Sequence, residues 1–480
     1  MSRTILLVFV AFTLASGGAG KKFKHPAPKR SPFQNVRDCL LRAAQLPHED
    51  TRIYIAQRGG VDGSGRSLQD ARDGSTAEEF DHILRCYSEG CQLPGEKPIE
   101  PTENLIVCLG PGTFSTKGTY DYVINVPHTS GQGFTVGKGW KIHGAGVDRT
   151  TVKLTAFLPL HEHQPPQNAP VNAGLGLVFG TNSDQASGIE ISDLTVDANY
   201  PELKRQATSA SIKALNLEAI HLRSDKGGHW IHDVRIINTA GEIGAIDGRW
   251  ETFPVWVASM RNRFDSQEDS GNIIERVHMS DFGGGACTAI AMAGVIGEVR
   301  NNTVEGYGIA YGGWSMGPVW FHDNIAVNTE YGFNIDSLRN EGVRIERNRI
   351  IHPRKYGIVI GGGGTYTNFR ILENTIEINK SGVIGVIFQG NVTGTVFRGN
   401  SILAAAGVKA VAISNYARGL RTGANVNNVY QSNRISAGLD VSFKGLSLKS
   451  RSCIAGNQDE NGKPSSRLRD NHSGTCPEPK

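Results

Sequence analysis

Short runs of alternating apolar and polar residues recur along most of the chain. One phrase, with apolar residues at its first and sixth positions, occurs nine times between residues 191 and 435. From the third copy onward, the copies begin 25, 22, 24, 26, 26 and 33 residues apart. Alternation predicts half-buried strands, and a repeat of this length predicts stacked structural units. The copies are ISDLTV at 191, IHDVRI at 231, IERVHM at 274, VRNNTV at 299, FHDNIA at 321, IERNRI at 345, ILENTI at 371, FRGNSI at 397 and YQSNRI at 430.

A second short strand is predicted before most copies of the phrase, for example GIAYG at 308 and GIVIG at 357. Gly, Asn and Ser separate the strands, and no helical periodicity lies between them. A unit of 22–26 residues with two or more strands fits one coil of a parallel β-helix, whereas a propeller blade needs about 40 residues. The repeat therefore predicts a parallel β-helix.

Asn occupies the fourth position of the phrase in six successive copies. Asn tolerates positive φ better than most residues, so we expect it to turn the chain between two strands. Stacked Asn side chains also predict a hydrogen-bonded ladder. The first three copies have Leu194, Val234 and Val277 in this slot, so the ladder is expected to begin midway. Its members are Asn302, Asn324, Asn348, Asn374, Asn400 and Asn433.

An amphipathic helix is predicted near the N-terminal end of the stack. The run DGSTAEEFDHILRCY at 73–87 offers two capping boxes, Ser75 with Glu78 or Thr76 with Glu79. Such a helix suits the open apolar end of a coil stack.

Two segments beyond this helix resemble the opening coils of the right-handed parallel β-helix superfamily typified by pectate lyases. They are NLIVCLGPGTFST at 104–116 and GWKIHGAGVDRTTVKL at 139–154. With this resemblance, the predicted fold class is all-β: a single-stranded right-handed parallel β-helix with an N-terminal capping helix. The resemblance also implies that extended polysaccharide binds along one face of the stack.

The N-terminus has the pattern of a secretory signal peptide, with Arg3 before a short apolar core and small residues through Gly20. No run of 18 apolar residues occurs elsewhere, so no membrane span is expected. We therefore expect a secreted protein, either periplasmic or extracellular. The expected organisation is a signal peptide (1–20), a basic Pro-containing linker (21–35), an N-terminal cap region (36–103), a β-helix (104–450) and a polar tail (451–480).

The net charge and the cysteines bear on the class of partner and on which cysteines form disulfides. The net charge of +4 is too small to indicate a nucleic acid partner. An exported chain can keep disulfides, whereas Cys287 reads as a small buried residue rather than a nucleophile. The expected pairings are Cys86–Cys91, Cys453–Cys476, which would tie down the polar tail, and, as a looser assignment, Cys39–Cys108.

Outward positions of the first strands are candidates for substrate contact, because side chains alternate across a strand. Within the strands, the outward positions hold His221, Arg223, Asn334, Asp336, Gln389 and Ser414. Just past the strand ends lie Trp314, Arg339 and Tyr416. By contrast, the second strands carry a row of alternating charges typical of a solvated face with weak pairs. That row contains His232, Glu275, Arg300, His322, Glu346 and Arg398.

A long insertion at 239–270 adds Trp250, Trp256, Arg261 and Arg263. Aromatic faces pack on sugar rings and Arg binds carboxylates in a forked geometry, so these residues suit a sugar acid. Ordinary loop packing and surface ion pairs are the alternative interpretation.

No enzyme family's catalytic motif transfers to this chain. The N-T-D, Asp-Asp, G-H-G and R-I-K strings of polygalacturonase-like hydrolases are absent, as are W-x-D-H and D-P-H. β-Elimination on a uronan needs a base and a group that neutralises the carboxylate. The expected catalytic residues are Asp336, Arg339, His221 and Arg223, with Asp336 also the metal ligand of a calcium site. The expected substrate-binding residues are Trp250, Trp256, Arg261, Arg263, Trp314, Asn334 and Tyr416.

These observations favour a secreted, monomeric, carbohydrate-active protein that cleaves an acidic polysaccharide as a lyase. A non-catalytic glycan-binding or cell-surface β-helix protein is the main alternative. A glycoside hydrolase or a uronan epimerase on the same fold is a further one.

Overall fold

Along the stack, the strands of one coil pair in parallel with the equivalent strands of the next coil, and only the two-residue strands Leu158–Pro159 and Ala240–Gly241 are antiparallel among the described pairs. Val299, Phe321, Ile345, Ile371 and Phe397 form one such column, and all five are buried in the core. The chain is therefore a right-handed parallel β-helix, which confirms the predicted fold class. In this computed structural model the described residues are 52–93, 97–119, 133–159, 172–181, 186–224, 226–247, 251–259, 270–336, 339–362, 364–414, 422–442, 452–466, 468, 470–471 and 474–479.

Three sheets form the walls of the stack, and we name them the long, front and small sheets. The 22-stranded long sheet contains Arg52–Ala56, Arg72–Asp73, Ile106–Leu109, Gly112–Thr116, Lys141–His143, Thr150–Leu154, Glu190–Asp197, Trp230–Ile237, Asn272–Met279, Gly297–Arg300, Thr303–Glu305, Val319–His322, Ile325–Val327, Arg344–Glu346, Arg349–Ile351, Arg370–Leu372, Thr375–Ile378, Val396–Arg398, Ser401–Ala404, Val429–Gln431, Arg434–Ile435 and Cys453–Ala455. The 12-stranded front sheet contains Leu158–Pro159, Ala173–Gly180, Ala214–Arg223, Ala240–Gly241, Val255–Ala258, Thr288–Ala293, Ile309–Trp314, Tyr331–Asp336, Tyr356–Ile360, Ile384–Phe388, Val411–Ser414 and Asp440–Ser442. The 4-stranded small sheet contains Arg339–Glu341, Thr365–Thr367, Gly390–Thr393 and Thr422–Val426.

The predicted helix near the N-terminal end is present and carries a capping box. Of the two expected pairs, Thr76 and Glu79 form it: each side chain accepts a hydrogen bond from the other's backbone N–H. Phe80 lies 5.4 Å from Phe114, ring centroid to ring centroid, so the helix adds its apolar face to the core. The described helices are Ala77–Glu89, Tyr200–Ser209 and Glu242–Asp247.

The Asn ladder is confirmed, but the predicted turn mechanism is wrong. Each Asn Nδ2 donates to the Oδ1 of the next Asn at 2.9–3.1 Å, and the ladder extends one rung further than predicted, to Asn457. It begins midway as expected, where Val277 N donates to Asn302 Oδ1 at 2.9 Å. The positive φ belongs to the residue before each Asn, such as Asp323 (56°) and Arg347 (52°). The preceding residue thus makes the turn, and the Asn side chain is left to bridge the coils.

The charged row on the long sheet is not a solvated face. His232 is 1% exposed, its ring lies 3.9 Å from that of Trp230, and its two nitrogens bond Glu190 at 3.0 Å and Asp233 at 2.9 Å. The same arrangement recurs three coils later, because the W-x-H-D string is repeated in the sequence. Its members there are Trp320, His322, Glu298 and Asp323. Arg300 links the two clusters, because it pairs with Glu298 and with Glu275, which accepts a hydrogen bond from Trp230 Nε1 at 3.1 Å.

Two of the predicted disulfides, Cys86–Cys91 and Cys453–Cys476, are present. Cys287 is a buried free thiol, and burial raises its pKa, as expected for a core residue. Cys39, the signal peptide (1–20) and the linker (21–35) lie outside the described residues. No helix within the described ranges is long and apolar enough to cross a membrane.

Candidate active site

On the front sheet, the two-residue alternation slips once in each coil. In the strand Tyr331–Asp336, Phe333 points inward and Asn334 outward, so strict alternation would turn Tyr331 into the core. Tyr331 instead lies on the outer face, half-buried, with its ring 5.0 Å from that of Tyr356. Gly332 occupies the extra inward position, where a Cβ would approach Ile350.

The slip gives the front sheet three outer columns instead of two. The first column contains Glu218, Thr288, Ile309, Tyr331, Tyr356 and Ile384. The second contains His221, Trp256, Ala291, Gly312, Asn334, Val359 and Ile387. The third contains Arg223, Ala258, Ala293, Trp314 and Asp336.

An aromatic cluster lies across these columns. The rings of Phe253, Trp256 and Trp314 are 5.1–5.8 Å apart, centroid to centroid. The small outward residues Ala291 and Ala293 are fully buried although they face away from the core. Small side chains at these positions leave room for large rings on the outside of the sheet, and such rings are the usual platform for a sugar.

Glu251, two residues before Phe253 of the aromatic cluster, is a partly buried carboxyl whose pKa is sensitive to the charge of Asp336. Glu251 accepts a hydrogen bond from Thr288 Oγ1 in the next coil. Burial raises the pKa of the Glu251 carboxyl, the bond from Thr288 partly opposes this, and the charge of Asp336 adds to the rise. Burial raises the pKa of Tyr331, and the charge of Glu251 adds a smaller contribution, so Tyr331 also lies within the electrostatic reach of Glu251. The site therefore contains a carboxyl with a raised pKa, Glu251, within the electrostatic reach of a second acidic group, Asp336.

A buried glutamate–histidine pair, Glu218 and His221, contacts the backbone of the segment that carries Glu251. Glu218 is 5% exposed and His221 is 1% exposed, and Glu218 Oε2 lies 3.0 Å from His221 Nε2. The imidazole of His221 packs edge-on against Trp256 at 5.3 Å. Arg223 lies in the third column with its guanidinium 5.9 Å from the Trp256 ring centroid.

The structure brings most of the predicted site residues that it describes to one region. Trp314 and Asp336 are register neighbours, and Asn334 lies two residues before Asp336 on the same strand. Arg339 begins the small sheet, is 73% exposed and pairs with Glu341 at 2.7 Å. His221 and Arg223 face outward as predicted, but His221 is covered rather than open to solvent. Four predicted residues lie outside the described residues: Trp250, Arg261, Arg263 and Tyr416.

Sequence reasoning missed Glu218, Glu251, Phe253 and Thr288. The sequence offered one signal for Glu251, a single carboxylate between aromatic residues in RWETFPVW. In the part of the chain that the structure describes, Asp336 is not part of a group of three or more His, Cys, Asp or Glu side chains that could bind a metal ion. The one group of three found there is His82, Cys86 and Cys91, and its two thiols are joined in a disulfide.

No protein-family model matches the chain. A search of curated proteins also finds no match. Among solved structures, the A-module of mannuronan C-5 epimerase AlgE4 from Azotobacter vinelandii is 14% identical, with a TM-score of 0.40; the match covers 73% of this chain and 91% of that one.

Two further solved structures have a similar chain course. The catalytic unit of a GH87 α-1,3-glucanase from Streptomyces thermodiastaticus is 12% identical, with a TM-score of 0.42 and coverage of 87% of this chain and 57% of that one. The tailspike protein of E. coli bacteriophage HK620 is 11% identical, with a TM-score of 0.44 and coverage of 91% and 75%. At such identities and TM-scores, function has to be argued from the residues of this chain.

Proposed function

We propose that this protein is an exported polysaccharide-cleaving enzyme that hydrolyses glycosidic bonds on its front sheet. The observation that carries the proposal is Glu251, a half-buried carboxyl held by Thr288 beside the cluster of Phe253, Trp256 and Trp314. Hydrolysis of a glycosidic bond generally uses two carboxyl groups, one protonated and one ionised. In the proposal Glu251 is the protonated member of this pair and Asp336, whose charge acts on Glu251, is the ionised member.

The environment of each carboxyl supports a distinct role. Burial and the neighbouring charge of Asp336 raise the pKa of Glu251, so Glu251 suits the general acid that protonates the leaving oxygen. Asp336 then acts as the ionised partner, either activating water or attacking the sugar. The aromatic cluster would hold a sugar ring between them.

The site's own charge bears on the substrate. Glu218 is buried against His221 and Glu251 is the protonated acid of the proposal, so Asp336 is the ionised carboxyl and Arg223, 5.9 Å from the Trp256 ring centroid, is the described cation beside the cluster. One carboxylate and one guanidinium leave no excess positive charge that would attract a polyanion. We therefore propose a neutral or weakly charged polysaccharide as the substrate, rather than the strongly acidic polymer favoured by the sequence.

Export fits the two disulfides, because disulfides persist in oxidising compartments. The signal-peptide interpretation of residues 1–20 supports the same conclusion, and it remains a proposal.

The test compares purified wild type with Glu251→Gln on neutral and acidic polysaccharides, with reducing ends and near-UV absorbance measured together. Glu251→Gln should lower kcat by about 10²–10⁴-fold, the usual contribution of a general acid. Glu377→Gln is the matched control, because Glu377 pairs with Arg349 at 2.8 Å on the long sheet, outside the three outer columns. The proposal fails if Glu251→Gln retains the activity of Glu377→Gln.

The pH profile gives a second, independent reading. A general acid must be protonated, so activity should fall as pH rises through the raised pKa of Glu251. Asp336→Asn removes the charge that helps raise this pKa, so any residual activity should show its basic limb at lower pH. An unchanged limb would mean that Asp336 does not act on the general acid.

β-Elimination on a uronan is the second candidate, because Arg223 stacks on Trp256 where it could neutralise a substrate carboxylate. In that mechanism, Asp336 would contribute to a calcium site. Rising near-UV absorbance that a chelator abolishes would favour the lyase, whereas new reducing ends without absorbance favour the hydrolase. Binding without either product would indicate a glycan-binding protein.

A further inference from the structure

We propose that Glu218 and His221 are positioning residues that clamp the segment carrying Glu251 and Trp256 onto the front sheet. The inference deepens the proposed function and rests on it, because the clamp matters to catalysis only if Glu251 is the general acid.

Glu218 and His221 hydrogen-bond to the backbone N–H and to the backbone carbonyl of Phe253, respectively. Phe253 N donates to Glu218 Oε1 at 3.0 Å, and His221 Nε2 donates to the Phe253 carbonyl at 2.7 Å. Glu218 Oε2 lies 3.0 Å from the same imidazole nitrogen. Glu218 thus accepts a hydrogen bond from the Phe253 N–H, and its second carboxyl oxygen lies next to the His221 nitrogen that donates to the carbonyl of the same residue.

The backbone between the two clamp residues holds the next residue of the segment. The N–H groups of Ala219 and Ile220 both donate to the Pro254 carbonyl at 2.9 Å. Four consecutive residues, 218–221, therefore fix two consecutive residues, 253–254. This double donation to one carbonyl accompanies the slip in alternation that turns Glu218 to the outer face beside His221.

The clamped residues 253–254 lie between Glu251 and Trp256 in the sequence. Glu251 precedes Phe253 by two residues, and Trp256 follows it by three and packs against the His221 ring. The carboxyl of Glu251 must meet both Thr288 and the field of Asp336, which belong to later coils. A shift of about 1 Å in a catalytic group can cost about 100-fold in rate. The clamp therefore determines where the proton donor stands.

A purely structural role for the pair would predict lost stability without a specific change at Glu251. The test uses two matched pairs of variants. His221→Phe keeps a ring against Trp256 but cannot donate to Phe253, whereas His221→Gln retains an N–H donor. Glu218→Leu removes the acceptor for Phe253 N, whereas Glu218→Gln retains one.

The first readout is hydrogen exchange of the segment 251–257, which requires no activity. We expect at least about tenfold faster exchange there in His221→Phe and Glu218→Leu, with the Gln variants close to wild type. Exchange in the strand Ile325–Val327 serves as the internal control and should not change. Unchanged exchange at 251–257 in a folded His221→Phe or Glu218→Leu protein would overturn the clamp.

The second readout is kinetic. His221→Phe should lower kcat by about 10-fold to 100-fold with a smaller effect on KM, and should move the basic limb to lower pH as Glu251 leaves its environment. His221→Gln should restore both. If the wild type cleaves no polysaccharide, the proposed function fails, while the exchange comparison still decides the clamp. If His221→Phe loses kcat without moving the limb, positioning of Glu251 is refuted even though the clamp holds the loop.

Discussion

The Asn ladder allows a quantitative test of what holds the coils in register, and Asn348→Ala is the sharpest perturbation. Asn348 Nδ2 donates to Phe321 O and to Asn374 Oδ1, each at 2.9 Å. Its Oδ1 accepts from Asn324 N at 3.0 Å and from Asn324 Nδ2 at 2.9 Å. The substitution removes all four bonds at a site that is 2% exposed.

The magnitude follows from which groups are left without a partner. The buried Asn324 N–H loses its acceptor, and an orphaned buried donor costs about 1–3 kcal/mol. The other three bonds contribute about 0.5–1.5 kcal/mol each. Asn324 Nδ2 keeps its bond to the Val299 carbonyl at 2.8 Å, which limits the loss. We expect Asn348→Ala to lower the free energy of unfolding by about 3–6 kcal/mol.

The assay combines urea unfolding, followed by tryptophan fluorescence, with native-state hydrogen exchange at the Asn324 amide. Asn461→Ala is the matched control, because Asn461 is exposed in the polar tail and exposed substitutions usually change stability by less than about 0.5 kcal/mol. Exchange at Asn324 should accelerate in Asn348→Ala and not in the control. A loss below about 1 kcal/mol with intact protection at Asn324 would refute the view that the ladder stabilises the stack.

Two further predictions concern pH and substrate length. Burial opposes the charged form of His232, but its bonds to Asp233 and Glu190 outweigh this and raise the pKa of His232, while Arg276 keeps Asp233 ionised. The charged imidazole therefore stabilises the fold fully below its unfolded pKa of about 6.5, and that contribution is lost as pH rises through the folded pKa. The free energies of unfolding of wild type and His232→Gln, measured in urea, should differ more at about pH 5.5 than at about pH 9. An equal difference at the two pH values would contradict the prediction. Tyr356 extends the first outer column beyond the proposed acid pair, so Tyr356→Ala should raise KM about tenfold for long oligosaccharides and leave short ones unaffected; equal effects on both lengths would exclude a subsite there.

Much of the fold could be predicted because one short phrase is written once per coil. The apolar positions of the phrase became the inward columns, and the Asn slot became the ladder. The positive φ could not be assigned from composition, since Arg347 and Glu373 adopt it as readily as Asn301. The turn is imposed by the stack, where the bridging bonds of the next residue fix the backbone whatever the side chain. Asn457 was missed because its copy, IAGNQD, lacks the closing apolar residue.

The candidate site was only half predictable, and the missing half has a common cause. Strict alternation correctly turned Asn334 and Asp336 outward, because those positions follow the slip in each coil. Glu218 precedes the slip, so alternation counted from Ile220 assigns it to the core, although it meets His221 on the outer face. Glu251 owes its environment to Thr288, 37 residues further along the chain and one coil away. A period of two carries information about one strand, whereas a catalytic group depends on where neighbouring coils bring their side chains, so the acid of this site becomes visible only when the coils are stacked.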